Sequence, residues 1–237
     1  MCGRFSRTAE LSEIKLQLKV EQLEVLREFT PLYNIAPSYG PGHEQPFVFQ
    51  SREGNRVLRV GRWWLIPSFW EKPLKQLPSA FNARAEDVTS KPFWRRSFEK
   101  HRCLVPATGW REFVASGKKK QPYQFKPRDS GLFTFAGVWS RWTSPEGEVV
   151  DSFALITTDP SAEAAKYHDR MPLVVSPELR DVWLDRGNDG TAVLNEARER
   201  SLSTPLDVYA SNPAGNSVRV EGPEAIEPSS ETIIVRD

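Results

Sequence analysis

Polar and apolar positions alternate along the chain in short blocks, and nineteen prolines and fourteen glycines interrupt the pattern often enough to keep every element short. Apolar Leu11, Ile14 and Leu18 after Thr8 have the spacing of an amphipathic helix, and a second helix is expected over 21–27, stopped by Pro31. Segments 56–66, 103–114, 123–126, 132–142 and 149–158 are rich in β-branched and aromatic residues and read as strands. Ser90 with Pro92, and Ser176 with Pro177, place a capping residue and an early proline ahead of helices over 92–100 and 177–184. A last helix is expected over 191–200, and the polar, Pro- and Gly-containing tail from Asn212 is expected to wrap or fray. No internal repeat or low-complexity tract interrupts this order. The sum is an α+β chain, a single mostly antiparallel β domain with peripheral helices.

A length of 237 residues, 39% of them hydrophobic and 27% charged, is enough to bury a core without disulfides or a structural metal. No apolar run is long enough for a membrane span, and the charged start has no apolar stretch behind it, so the expectation is a cytoplasmic protein with neither leader nor anchor. Two cysteines, Cys2 and Cys103, make no disulfide framework and suggest a reducing compartment. The net charge of +1 hides an asymmetry: residues 1–140 carry 23 Lys and Arg against 13 Asp and Glu, residues 141–237 carry 9 against 18. The basic half, densest over 91–120, is the candidate face for a polyanion, and the acidic half should point elsewhere.

Cys2 is the most informative residue. A methionine followed by a small side chain is normally removed, which leaves a thiol and a free α-amine on one carbon skeleton. Such a 1,2-aminothiol traps aldehydes: the amine forms a Schiff base and the thiol closes it to a five-membered thiazolidine. The same pair could act as an N-terminal nucleophile in hydrolysis, and position alone is also explained by an incidental cysteine. Glu112 follows an apolar run and suits an inward proton-transfer carboxylate or an outward strand charge. His168, ahead of Pro172, suits a loop histidine that donates to a reacting oxygen or a surface residue; Asn82 suits orientation of an amine or a turn. His101 and Cys103 lack the spacing of a metal site, no glycine-rich phosphate loop occurs, and no metal or cofactor is expected. Cys103 reads as a buried core thiol. Phe69-Trp70, in a Pro-flanked segment after Trp63-Trp64, can stack on bases or cap the core.

In order along the chain, Met1-Cys2-Gly3-Arg4-Phe5, Tyr33-Asn34-Ile35-Ala36-Pro37, Phe81-Asn82-Ala83-Arg84-Ala85-Glu86, Arg102-Cys103-Leu104-Val105-Pro106 with Gly109-Trp110-Arg111-Glu112, Phe135-Ala136-Gly137-Val138-Trp139 and His168-Asp169-Arg170-Met171-Pro172 resemble the SRAP family, the SOS response-associated peptidases or abasic-site processing proteins. The resemblance implies the SRAP fold, a curved barrel-like sheet in one domain over 1–228 with a polar tail over 229–237. It also implies covalent capture of abasic sites in single-stranded DNA through a thiazolidine on Cys2, within the DNA damage response. In the implied roles Cys2 is the nucleophile, Asn82 orients the amine or sugar, Glu112 transfers protons in the Schiff-base chemistry, and His168 acts on the sugar oxygen and on reversal. Arg4, Arg84 and Arg170 resemble phosphate-binding arginines, Asn34 joins them as a DNA contact, and Phe69 and Trp70 resemble an aromatic pair beside the bases. Replication-fork proteins are further partners the resemblance allows; a nucleoid-associated location would follow in a bacterium, and a monomer is expected. The peptidase name implies removal of Met1, and a lyase activity can accompany capture. Leu32 stands where a basic residue is expected and Phe69 where a tryptophan is common. A thiol-dependent peptidase using Cys2, Glu112 and His168, and a non-covalent single-strand binding module, remain alternatives.

Overall fold

The computed structural model describes residues 2–25, 29–117, 119–129 and 131–229. Within them the chain forms strands β1 (Phe5–Arg7), β2 (Gln22–Glu24), β3 (Leu32–Ile35), β4 (Glu44–Gln50), β5 (Arg56–Trp63), β6 (Asn82–Arg84), β7 (Arg102–Ala107), β8 (Gly109–Ser116), β9 (Lys119–Pro127), β10 (Phe133–Thr143), β11 (Val149–Thr158), β12 (Met171–Pro172) and β13 (Leu206–Ala210). The helices are α1 (Leu11–Gln17), α2 (Ala85–Val88), α3 (Pro92–Lys100), α4 (Arg180–Leu184) and α5 (Gly190–Leu202), with short 3-10 turns between.

One sheet runs β12-β11-β10-β7-β4-β5-β2, and β5 returns to pair in parallel with β11, which closes β11, β10, β7, β4 and β5 into a five-stranded barrel. Gly61 permits the closure: a Cβ there would lie 2.9 Å from both the Asp151 carbonyl and the Phe47 ring. The second sheet runs β13-β9-β8-β1-β3. Period-two alternation sorts the barrel side chains onto two faces. Phe47, Phe49, Cys103, Val105, Phe135 and Phe153 join Phe5, Trp110 and Phe125 of the second sheet in one aromatic cluster. Val48, Leu104, Ala136, Ala154 and Ile156 face the other way, onto Ile14, Leu18, Phe98, Trp183 and Leu194 of the helices.

Most expected elements form, with instructive differences. The helix over 21–27 is replaced at Gln22–Glu24 by β2, because its backbone pairs in parallel with Val57, Leu58 and Arg59 of β5; residues 26–28 lie outside the described residues. The single strand over 103–114 breaks at Thr108, whose Oγ1 accepts the Thr8 amide at 3.1 Å, so that β7 stays in the barrel and β8 crosses to the second sheet. The expected caps do not form: α3 starts from Lys91, and the turn that leads into α4 starts from Ser176, each without a side-chain cap hydrogen bond. The tail wraps: the Asn212 amide donates to Glu227 at 2.9 Å and the Ser229 amide to Ala210 at 2.8 Å.

The charge halves do not separate as the sequence suggests. Arg62 pairs with Glu148 at 3.0 Å, Arg128 with Asp207 at 3.1 Å, and Arg56 with Asp181, so acidic groups of the second half neutralise basic groups of the first. Two basic residues of the stretch 91–120 are interior: Arg102 and Arg111 are 3% and 2% exposed, their guanidinium groups spent on buried carbonyls. Among the described residues no helix is long and apolar enough to cross a membrane.

Candidate active site

The seam between the two sheets gathers four groups far apart in the chain. Cys2 leads into β1, which pairs with β8 through Phe5 and Trp110. Glu112 points inward from β8, Asn82 opens β6 at the edge of β11, and His168 stands in the loop between β11 and β12. Asn82 Nδ2 donates to the Cys2 carbonyl at 2.8 Å and so holds the chain start against the barrel. The Cys2 thiol donates to the Arg170 carbonyl at 3.6 Å, and the Glu112 carboxyl lies close enough to act on its titration. His168 Nε2 lies 3.9 Å from Glu112 Oε2.

Burial tunes all three titrating groups towards neutrality. It pushes the Cys2 thiol well up, and the neighbouring Glu112 charge pushes the same way. It raises the Glu112 carboxyl to about 7, although the neighbouring Cys2 thiol pulls the other way. It lowers His168 below the ordinary imidazole value. His168 Nδ1 accepts the Arg170 amide at 3.0 Å, which leaves the proton of the neutral ring on Nε2, the nitrogen facing Glu112. Asp169 Oδ1 also comes within 2.9 Å of Nδ1, a contact that becomes an ion pair only on protonation and that solvent screens, since Asp169 is 87% exposed. Glu112 Oε1 and Asn82 Oδ1 are buried acceptors without a hydrogen-bond partner among the described residues.

The residues expected to contact DNA divide into two groups. Arg84 is exposed on β6 beside Asn82, and Phe69 is exposed on the turn before half-buried Trp70. Trp70 packs beside Ile66, Trp142 and Val150, and its carbonyl accepts the Trp142 indole at 2.6 Å. Arg4, Asn34 and Arg170 are engaged in hydrogen bonds within the chain. Asn34 Oδ1 accepts from Arg4 Nη1 at 2.9 Å and Arg111 Nη1 at 3.3 Å, while Nδ2 donates to Ser217 and Val220, each at 2.8 Å. The amide of Asn34 is therefore saturated, its nitrogen by the wrapped tail and its oxygen by Arg4 and Arg111, and Arg4 is partly buried with it. Arg170 is occupied by carboxylates described below. Cys103 is fully buried, and His101, lowered by burial and by four neighbouring cations to about 4, packs edge-on against Trp139 at 4.8 Å. Among the described residues no group of three or more His, Cys, Asp and Glu could hold a metal ion. Sequence reasoning passed over Asp159, which accepts from Arg170, and Arg198, which shares Glu86 and Asp159 with it; only the fold brings them together, and neither carries a local signal.

A family model described as SOS response associated peptidase (SRAP) matches residues 1–217. The chain is 32% identical over 228 residues to abasic site processing protein YoqW of Bacillus subtilis, covering 96% of this chain and 99% of that one. It is 28% identical over 237 residues to abasic site processing protein YedK of Escherichia coli, covering 96% and 100%. Against abasic site processing protein HMCES of Gallus gallus it is 30% identical over 266 residues, covering 96% and 78%. A solved structure of a Bacteroides thetaiotaomicron protein shares the fold, with a TM-score of 0.79 at 24% identity over 96% of this chain and 100% of that one.

Proposed function

The chain belongs to the SOS response associated peptidase (SRAP) family, and from that membership and the Cys2 site we propose that it processes abasic sites by covalent capture in single-stranded DNA. After loss of Met1, the Cys2 amine attacks the aldehyde carbon of the ring-opened deoxyribose. The carbinolamine loses its hydroxyl as water and leaves a C=N bond. The Cys2 sulfur then adds to that carbon, its proton passes to nitrogen, and a thiazolidine closes with the net loss of one water.

The observation that carries this reading is the buried Glu112 carboxyl beside the Cys2 thiol, raised to about 7 by burial and 3.9 Å from His168 Nε2. A buried thiol stays protonated near neutrality, so its attack needs a base in contact with it, and Glu112 is that base. In its protonated form the same carboxyl delivers a proton to the departing hydroxyl. The His168 Nε2 proton faces the same space and suits the sugar oxygen, in capture and in reversal. Asn82 holds the Cys2 main chain so that amine and thiol approach one carbon. Arg84 suits a backbone phosphate, and Phe69 with Trp70 suits a neighbouring base.

The test is a denaturing gel of Met1-free protein with a single strand carrying one abasic site, beside Cys2→Ala and a form that retains Met1. A heat-resistant shifted band with the free Cys2 form alone supports the reading. Peptide turnover without any dependence on abasic DNA would instead favour the thiol peptidase.

A further inference from the structure

The Arg170 guanidinium is engaged before any phosphate arrives. Nη2 donates to Glu86 Oε2 at 2.9 Å and to the Thr157 carbonyl at 2.6 Å, and Nη1 donates to Glu86 Oε1 at 3.3 Å and to Asp159 at 3.1 Å. Arg198 of α5 closes the cluster, donating to Glu86 at 3.0 Å and to Asp159 at 3.3 Å. Two cations and two anions balance here and tie together α2, the end of β11, α5 and the loop after His168. Burial, the largest single influence, would raise the Glu86 carboxyl, yet the Arg170 hydrogen bonds, the Glu86 backbone amide and the charges of Arg170 and Arg198 together hold it below the ordinary carboxylate value. A fork-on-fork contact of this kind fixes direction as well as distance.

What the fork fixes is the Arg170 backbone, and that backbone touches both reacting groups. Its carbonyl accepts the Cys2 thiol at 3.6 Å, and its amide donates to His168 Nδ1 at 3.0 Å. One residue therefore orients the sulfur and selects the His168 tautomer, while its side chain is bolted to Glu86. We propose, on the basis of the capture reaction above, that Glu86 is a positioning residue: through Arg170, with Asp159 and Arg198 as braces, it sets the placement of the Cys2 thiol and the His168 ring. A phosphate-binding role for Arg170 makes the opposite forecast, because removing the Glu86 charge would free a cation and tighten strand binding without slowing the chemistry.

The test compares Met1-free wild type with Glu86→Gln in three measurements. These are the crosslinking rate at saturating abasic strand, the affinity for the same strand in a Cys2→Ala background, and the rate of Cys2 alkylation by iodoacetamide without DNA, followed across pH by mass spectrometry. A displacement of about 1 Å in a reacting group costs up to roughly a hundredfold in rate, so a fall of at least tenfold in crosslinking at saturation is expected. Strand affinity should hold within about twofold, and the pH dependence of Cys2 alkylation should shift as the thiol loses its fixed acceptor. An unchanged saturating rate overturns the proposal, as does a loss of rate matched by an equal loss of affinity. If Glu86→Gln does not fold, Asp159→Asn should show the same pattern more weakly, and its absence there overturns the proposal too. A wild type that never crosslinks would sink the capture reaction, while the alkylation arm would still decide the positioning role: identical profiles in wild type and variant would contradict it.

Discussion

His168 Nε2 stands 3.9 Å from Glu112 Oε2, although one residue belongs to a loop of the barrel sheet and the other to a strand of the second sheet. Burial drives the two in opposite directions, Glu112 up to about 7 and His168 down, so both can be neutral at the pH where the reaction runs. A proton can then pass between either group and a bound sugar at small cost.

Glu112→Gln should slow crosslinking by about a hundredfold, within the range of general acid–base catalysis. It should also erase an inflection near pH 7 in the rate profile of the wild type. Single-turnover rates between pH 5.5 and 8.5 check this; an inflection near 7 that survives in the variant would assign the titration to another group.

The same carboxyl affects stability. Glu112 holds its proton more tightly in the folded chain, so its contribution is full below the ordinary value of 4.5 and is lost as pH rises through about 7. The loss amounts to roughly 3 kcal/mol at most. Glu112→Gln removes the titration, so urea unfolding should find the variant more stable than wild type at pH 8 and nearly equal to it at pH 5. Equal stability at both values would mean that Glu112 is not desolvated.

His168→Gln keeps a donor near the sugar but cannot exchange its proton. Capture and reversal should both slow by at least tenfold, with affinity for an unmodified strand unchanged. Fluorescence anisotropy beside the gel assay separates the two; a large loss of affinity would make His168 part of the binding wall.

Phe69 is 51% exposed and packs little, so Phe69→Ala should leave the unfolding midpoint in place. Loss of a stacking partner should weaken strand binding by about 1–3 kcal/mol. Titration with an unmodified strand, together with a crosslinking rate at saturation that stays at the wild-type value, would place Phe69 on the path of the strand.

Gly215 lies beneath the wrapped tail, where a Cβ would fall 2.5 Å from the Ala225 carbonyl and closer still to the Arg111 guanidinium. Arg111 donates to Gly215 at 2.9 Å in the same place. Gly215→Ala should therefore destabilise by about 1–3 kcal/mol, an overpacking cost read from urea unfolding.

Strands of eight or more residues with alternating aromatic and β-branched positions, such as β5, β10 and β11, were legible because their own side chains sort onto two faces. β1, β3 and β6 were not, since three or four residues carry too little periodicity and are strands only through partners elsewhere. β2 misled for a related reason: Leu23 and Val25 suit a helix as well as a strand, and the parallel edge of β5 decides between them. At the site, Cys2, Asn82, Glu112 and His168 could be singled out by residue type and by resemblance. Their mutual distances could not, because Thr108 moves the chain from one sheet to the other. Arginine roles were the least legible: charge along the chain does not tell Arg84, which reaches solvent, from Arg111, which holds a buried carbonyl.

The most direct measurement is the intact mass of the Met1-free protein after incubation with an abasic single strand in the absence of any reductant. The account predicts an adduct equal to protein plus strand less one water, stable to heating and absent from Cys2→Ala. An adduct that appears only after borohydride trapping, or that Cys2→Ala forms as readily, would show a Schiff base without ring closure and contradict the role given to the Cys2 thiol.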